Sequence, residues 1–250
     1  MTRKLLLALL LLTFNCATLA ASGLKVGMSA DYPPVHFSQD GRIVGIEADN
    51  ARAVGEIIGR TARIIVMPFN ELIPALQSGQ IDVIMSGMSV TPARSGEVTF
   101  TDSYLGVGQM AIIHRDKLGL YSQPWSVYRV GARVGVEPGT TGAAFAEREL
   151  QDAKIVYYAD ADAAFSGLRS NEIDLYVHDA PTSWQLASST ENGDLISLYA
   201  PLTDEKLAWA VRRDNDALAA ELNRALALMK ANGTLQYILN RWIPVTIEVR

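Results

Sequence analysis

The sequence predicts an α/β protein of two related lobes, each a mostly parallel sheet flanked by helices. Two observations carry this. Strand-like and helix-like segments alternate along the chain, which implies parallel strands covered by helices. A short unit also occurs twice. Leu76-Gln77-Ser78-Gly79-Gln80-Ile81-Asp82 is matched by Leu168-Arg169-Ser170-Asn171-Glu172-Ile173-Asp174, each reading as a helix end, a turn and a buried strand. Val26-Gly27-Met28 is likewise matched by Val134-Gly135-Val136, each ahead of a loop. Two copies of one β-α unit suggest two related lobes.

Residues 1–22 are expected to be a cleaved secretory signal. Arg3 and Lys4 are its positive start, residues 5–12 are apolar, and small residues follow from Ala17 to Ser22. The apolar run is too short to span a bilayer, which takes about 20 residues. Cleavage fits after Ala20 or after Ser22. Cys16, the single cysteine, leaves with this segment, because Thr13-Phe14-Asn15 is a poor context for lipidation. No disulfide is then available, and packing alone holds the lobes.

After the signal, residues 24–28 read as a strand and residues 49–60 as a helix with Ala53, Val54, Ile57 and Ile58 at helical spacing. Residues 63–67, with β-branched Ile64, Ile65 and Val66 at their centre, read as a strand. Asn70 is expected to cap the helix carrying Leu72, Ile73 and Leu76, which Gly79 stops before a strand at 81–85. Strands are expected at 134–136, 154–158 and 173–177, with helices at 141–149 and 162–169 between them. Residues 216–242 read as helical with a break at Asn232-Gly233.

Composition narrows the function. The chain has 250 residues, 49% hydrophobic and 20% charged, which suits a globular core and not a disordered chain. Its formal charge of −5, with no basic stripe, argues against nucleic acid as a partner. Loss of Arg3 and Lys4 leaves 20 basic residues against 27 acidic ones, a charge of −7. His36, His114 and His178 lack metal-ligand spacing, and no Gly-x-Ser-x-Gly elbow is present. No metal, no cofactor and no enzyme activity are expected.

Parallel sheets bind ligands at the carboxyl ends of their strands. That directs attention to Ser29 to Tyr32, Ser86 to Ser89, Glu137 to Gly142 and His178-Asp179. Arg94 follows the loop that contains Ser86, Gly87, Met88 and Ser89. A guanidinium fits a carboxylate with two parallel hydrogen bonds, and the loop adds backbone and hydroxyl donors. Arginine in such a place also fits an ordinary surface residue. Thr140 and Thr141 lie between glycines at a strand-to-helix turn, either as donors to an anion or as a plain helix cap. Asp179 suits either an ammonium partner or a cap before Pro181. Tyr32 and Phe69 suit either a clamp on an apolar ligand stem or core packing.

In their order these residues resemble the polar amino-acid-binding proteins of ABC importers, bacterial solute-binding protein family 3. The resemblance runs through Asp31-Tyr32-Pro33-Pro34, Gly45-Ile46-Glu47-Ala48-Asp49, Leu72-Ile73-Pro74-Ala75-Leu76, Ile81-Asp82-Val83-Ile84, Ser86-Gly87-Met88-Ser89-Val90-Thr91 with Arg94, Phe100-Thr101-Asp102-Ser103-Tyr104, Gly139-Thr140-Thr141 and the stretch from Gly233-Thr234 to Trp242. It implies a two-lobed periplasmic-binding-protein fold (type II) with a two-segment hinge. One lobe would hold residues 23–113 and 203–250, the other 114–202. It implies that Arg94, with the Ser89 amide and Thr141, binds the ligand α-carboxylate. Asp179, with the Gly87 carbonyl and Ser89 hydroxyl, would bind the α-ammonium. Tyr32 and Phe69 would enclose the side chain, and Ser29, Ser86, Met88 and Thr140 complete the set. The implied protein is a periplasmic monomer that hands an amino acid to an ABC transporter permease.

Ser29 stands where members that bind cationic amino acids carry aspartate. This points to a neutral polar ligand, with Asp31, Glu71 and Glu137 as the acids able to substitute. Cyclohexadienyl dehydratases resemble the same family, but the acid they need is missing from Ala180-Pro181-Thr182-Ser183-Trp184, leaving only His178 as a general acid. A sensor input domain is a third reading; it would ordinarily come with a signalling domain or membrane span, and neither is expected here.

Overall fold

A computed structural model describes residues 23–198 and 200–243, so the expected signal segment and Cys16 lie outside the described residues. β1 (Leu24–Met28) leads into a small antiparallel sheet of β2 (Asp31–Tyr32), β3 (His36–Gln39) and β4 (Arg42–Val44). Helix α1 (Ile46–Ile58) starts three residues earlier than its apolar spacing suggests, directly after Gly45, and buries Ile46, Ala48, Ala51 and Val54. β5 (Ala62–Val66) follows, then α2 (Leu72–Gln77) and β6 (Val83–Ile84). Asn70 does not cap α2. It sits inside a 3-10 turn, Phe69–Glu71, and α2 begins behind Glu71 with no side-chain cap. α3 (Pro92–Ser95) precedes the long β7 (Val98–Val107), which passes through Gly108 into β8 (Gln109–His114).

β9 (Arg133–Val136), α4 (Thr141–Glu149), β10 (Lys154–Tyr157), α5 (Ala161–Arg169), β11 (Leu175–Asp179) and α6 (Ala180–Ser188) continue the alternation. β12 (Leu195–Ser197) and β13 (Glu205–Arg212) come before α7 (Asp216–Ala231) and α8 (Thr234–Trp242). The break between α7 and α8 falls at Asn232 and the left-handed Gly233, as the sequence predicts.

The strands form two five-stranded sheets of equivalent layout, β5-β1-β6-β13-β7 and β10-β9-β11-β8-β12. The first three strands of each are parallel and the last two join antiparallel. Each sheet is therefore mixed, where alternation alone predicts a mostly parallel one. The antiparallel strands are those through which the chain leaves and re-enters a lobe. β8 pairs with β11 and β12, so the first crossing falls at Gly108 and not at residues 113–114. The return crossing runs beside it: Gln109 N donates to Thr203 Oγ1 at 2.8 Å, and Leu202 N to the Gln109 carbonyl at 2.7 Å. A side chain at Gly108 would collide with the Thr203 carbonyl, so the two crossings touch through glycine.

The sequence repeat has a physical cause in both lobes. A Cβ on Gly27 would meet Ile81, and one on Gly135 would meet Ile173; each glycine makes room for its own buried isoleucine. The preceding turns both need a left-handed residue, Gly79 at φ 77° and Asn171 at φ 58°. The aspartate that closes each repeat locks two strands. Asp82 N donates to the Lys25 carbonyl and Lys25 N returns to Asp82 Oδ2, both at 2.8 Å. Asp174 N donates to the Arg133 carbonyl at 2.7 Å, and Arg133 N returns to Asp174 Oδ2 at 2.9 Å.

Fully buried Trp209, Met28, Ile46 and Leu222 fill the first lobe. Val134, Val136, Leu175 and Ala146 fill one side of the second, and Ile112, Tyr176 and Phe165 the other. Burial of each such large aliphatic or aromatic side chain contributes about 1.5–3 kcal/mol.

In the second lobe Asp174 also takes Lys117 Nζ at 2.5 Å and Arg133 Nη2 at 2.6 Å. Burial pushes its carboxyl up, but the bonds from Arg133 and Lys117 outweigh that and hold it well below the usual carboxylate range. A group depressed in this way adds stability above its unfolded pKa, near 4, and loses it as pH falls. Asp174→Asn should lower unfolding stability by about 1.5–3 kcal/mol at pH 7, with the gap to wild type closing below pH 4; denaturant melts at both pH values measure it.

Candidate functional site

The carboxyl ends of β1 and β6 face those of β9 and β11 across one cavity. Ser29, Tyr32, Phe69, Gly87, Ser89 and Arg94 line it from the first lobe, and Thr140, Thr141 and Asp179 from the second. Nine of the eleven residues singled out in the sequence thus meet in one place. Ser86 and Met88 do not reach it. Met88 packs in the core beside Leu72, Ile81 and Ile84. Ser86 Oγ is used behind the wall, accepting from Ser29 N at 3.0 Å and lying 3.2 Å from His36 Nε2. His36 Nδ1 lies 3.1 Å from the Ser29 carbonyl, so the imidazole ties both serines together. Burial lowers the His36 pKa from 6.5 to about 4, which keeps this brace uncharged near neutral pH.

Gly87 has φ 58°, and a Cβ there would lie 2.8 Å from Tyr32 Cε1. Glycine is required on both counts. Its amide donates to Glu47 Oε1 at 3.2 Å. Glu47 is fully buried and also accepts from Tyr104 Oη at 2.8 Å, Trp209 Nε1 at 3.0 Å and Asn50 Nδ2 at 3.3 Å. Burial raises its pKa, and these four donors pull the other way. One carboxylate on α1 therefore fixes the backbone of the cavity loop.

Thr91 caps α3 by accepting from Arg94 N at 3.2 Å, which aims Arg94 along the cavity. Arg94 Nη1 donates to the Ser89 carbonyl at 2.9 Å, and Nη2 crosses to the Gly139 carbonyl of the second lobe at 3.0 Å. The guanidinium carbon lies 5.3 Å from the centroid of the Phe69 ring. Burial lowers the Arg94 pKa while Asp179 and Glu205 oppose it, and an arginine stays cationic throughout.

In the second lobe Thr140 is the helix cap: its Oγ1 accepts from Ala143 N at 3.1 Å and donates to the Glu137 carbonyl at 2.8 Å. Thr141 Oγ1 points onward to Glu205 Oε2 at 2.8 Å. Asp179 stands at the cap position of α6 yet makes no side-chain cap. Its Oδ2 accepts from Tyr32 Oη of the opposite lobe at 2.7 Å, and its Oδ1 from Gln109 Nε2. Burial raises the Asp179 pKa, opposed by His178 and by those bonds. Asp179 and Arg94 therefore each bind atoms of the other lobe.

Asp31, Gln109, Glu137, Val177 and His178 line the cavity as well, whereas Glu71 is exposed in its 3-10 turn and lies away from it. Asp31, Glu137 and His178 fall within the segments after strands that the sequence marks. Gln109 carries no such signal. It is a lone glutamine at the start of β8, and only its place beside the Gly108 crossing gives it meaning. Its Nε2 lies within reach of Asp179, of Thr141 Oγ1 at 3.0 Å and of Glu205 Oε1 at 3.3 Å. Its buried Oε1 has no hydrogen-bond partner among the described residues. No group of metal-ligating side chains and no membrane-spanning helix occurs among the described residues.

Two lobes, two crossings and a polar cavity between them are the architecture of a type II periplasmic binding protein. Residues 24–245 match the bacterial extracellular solute-binding proteins, family 3, and the chain belongs to that family. It is 33% identical to ABC transporter arginine-binding protein 1 of Escherichia coli (strain K12), over 97% of this chain and 99% of the relative. It is 28% identical to the histidine-binding periplasmic protein of the same strain, over 96% of each chain. Among solved structures it resembles the ancestral amino acid-binding protein AncCDT-1, a precursor of cyclohexadienyl dehydratase. The TM-score there is 0.81 at 29% identity, over 89% of this chain and 95% of that one.

The Glu47 cluster can be checked directly. In Glu47→Gln the new amide group faces two N–H or O–H donors that it cannot accept from. The variant should lose about 1–3 kcal/mol of stability in urea unfolding, with the slope of the transition unchanged.

Proposed function

We propose that this protein captures an amino acid between its lobes in the periplasm and delivers it to the membrane permease of an ABC importer. One observation carries the reading: a guanidinium and a carboxylate from opposite lobes, Arg94 and Asp179, meet at one buried cavity. An amino acid is a carboxylate and an ammonium a fixed short distance apart. It loses its water on entering a closed cleft, which is tolerable only if both charges gain hydrogen-bonded partners. Arg94 with the Ser89 amide and Thr141 suits the carboxylate. Asp179 with the Gly87 carbonyl and the Ser89 hydroxyl suits the ammonium. A ligand that touches both lobes stabilises their closed arrangement, as in hinge closure. The names of the relatives support an amino acid as the ligand class and the periplasm as the location. Residues 1–22 would be the export signal, and the protein would act as a monomer. Relatives that are binding proteins support capture over catalysis.

A thermal-shift screen against the twenty amino acids, with prephenate and arogenate added, tests this. A ligand at 100 times its Kd should stabilise the protein by about 2.7 kcal/mol. A shift with one small group of amino acids supports the reading. Turnover of prephenate or arogenate would replace it with a dehydratase.

Arg94→Ala should weaken amino-acid binding by about 2–5 kcal/mol in titration calorimetry while the protein still unfolds cooperatively; unchanged affinity would remove Arg94 from the site. Asp179→Asn should weaken binding of the amino acid far more than binding of its deaminated analogue. Equal losses for the two would break the ammonium assignment.

A further inference from the structure

The cavity wall is charge-imbalanced. Three carboxyl groups, Asp31, Glu137 and Asp179, face it with one guanidinium, Arg94. If an amino acid binds as proposed above, its carboxylate pairs with Arg94 and its ammonium with Asp179. Asp31 and Glu137 are then left over. They come from opposite lobes, Asp31 from β2 and Glu137 from the turn after β9. A neutral ligand would leave two like charges facing each other across a closing gap, one of them largely out of water.

Glu137 is built into its wall. Its side chain is 17% exposed; Oε1 accepts from Tyr176 Oη and faces His178 Nε2 at 3.5 Å. His178 is fixed in turn, with Nδ1 2.9 Å from Thr182 Oγ1 and its ring edge-on to Tyr32 at 4.9 Å. Oε2 takes part in neither of these contacts. Asp31 is exposed and meets the cavity from the far side.

We infer that Glu137 and Asp31 form the cation-accepting end of the cavity, so that the ligand is an amino acid with a guanidinium or ammonium side chain. The inference rests on the amino-acid reading above and reverses the neutral ligand to which Ser29 alone points. The acid missing at residue 29 is supplied two residues further on in the same lobe and once more from the other lobe. The ligand's third charge then acts as a bridge: it pairs with both acids and removes the repulsion that opposes closure. Paired charges in a poorly hydrated site are favourable only when both sides are present, so the same two acids that admit a cation exclude its neutral counterpart.

Titration calorimetry on the purified protein with arginine, lysine, citrulline and glutamine tests it. Wild type should bind arginine or lysine at least tenfold more tightly than citrulline and glutamine. Glu137→Gln and Asp31→Asn should each lose at least tenfold for the cationic ligands, with the neutral ones changed less than threefold. Tighter binding of citrulline or glutamine by wild type overturns the inference, and so do variants that keep the wild-type preference or lose both classes equally. Asp31 is exposed, so its variant decides the matter if Glu137→Gln does not fold. Neutral amino acids that bind tightly and depend on Arg94 would sink this inference alone; no binding of any amino acid would sink the underlying reading with it.

Discussion

A carboxylate that loses its water must be given donors, and Asp179 draws them from both halves of the molecule. Tyr32 reaches it from the first lobe and Gln109 from the strand that has just crossed into the second. Everything around the cavity follows from holding those groups in place. The Tyr32 ring is seated against Gly87, Gly87 is tied to Glu47, and Glu47 is held by Tyr104 and Trp209 in the core of the first lobe. The second lobe answers with Arg94's acceptor at Gly139 and with the Thr141 hydroxyl. Polar groups that would be costly singly are bearable as a connected set.

The fold was largely legible in the sequence because its main devices are local. Alternating elements and a repeated helix-turn-strand unit have one meaning, and the close approach of Gly27 to Ile81 and of Gly135 to Ile173 explains why the repeat survives as spelling. What escaped is long-range. The mixed character of each sheet depends on which strands carry the chain between lobes, and nothing local in residues 109–114 announces that they belong to the second sheet. Asn70 has the side chain of a cap, but a 3-10 turn placed it ahead of the helix it was expected to start.

The site was legible where a residue follows a strand and obscure elsewhere. Asp179 ends a parallel strand and Thr141 follows one, Arg94 lies in α3 beyond the loop after β6, and all three meet at the cavity. Ser86 and Met88 lie two positions apart in the same loop and would share a face if it were extended, but the left-handed Gly87 between them turns the chain, so one braces the wall and the other enters the core. Glu47 could not be read as a support, because its four donors come from α1, from the cavity loop, from β7 and from β13. Only folding brings them to one carboxylate.

The Gln109 amide carries two protons and has three acceptors in reach, at Asp179, Thr141 and Glu205. Two protons suffice, because Glu205 Oε1 already accepts from Thr203 Oγ1 at 2.7 Å. Thr141 serves the other Glu205 oxygen and Tyr32 the second oxygen of Asp179, which leaves the Gln109 protons for Asp179 Oδ1 and Thr141 Oγ1. The floor of the cleft is a relay in which each carboxylate oxygen holds one donor. Each of those oxygens keeps a second lone pair, so a triply protonated group arriving at Asp179 as proposed would add to the relay without dismantling it.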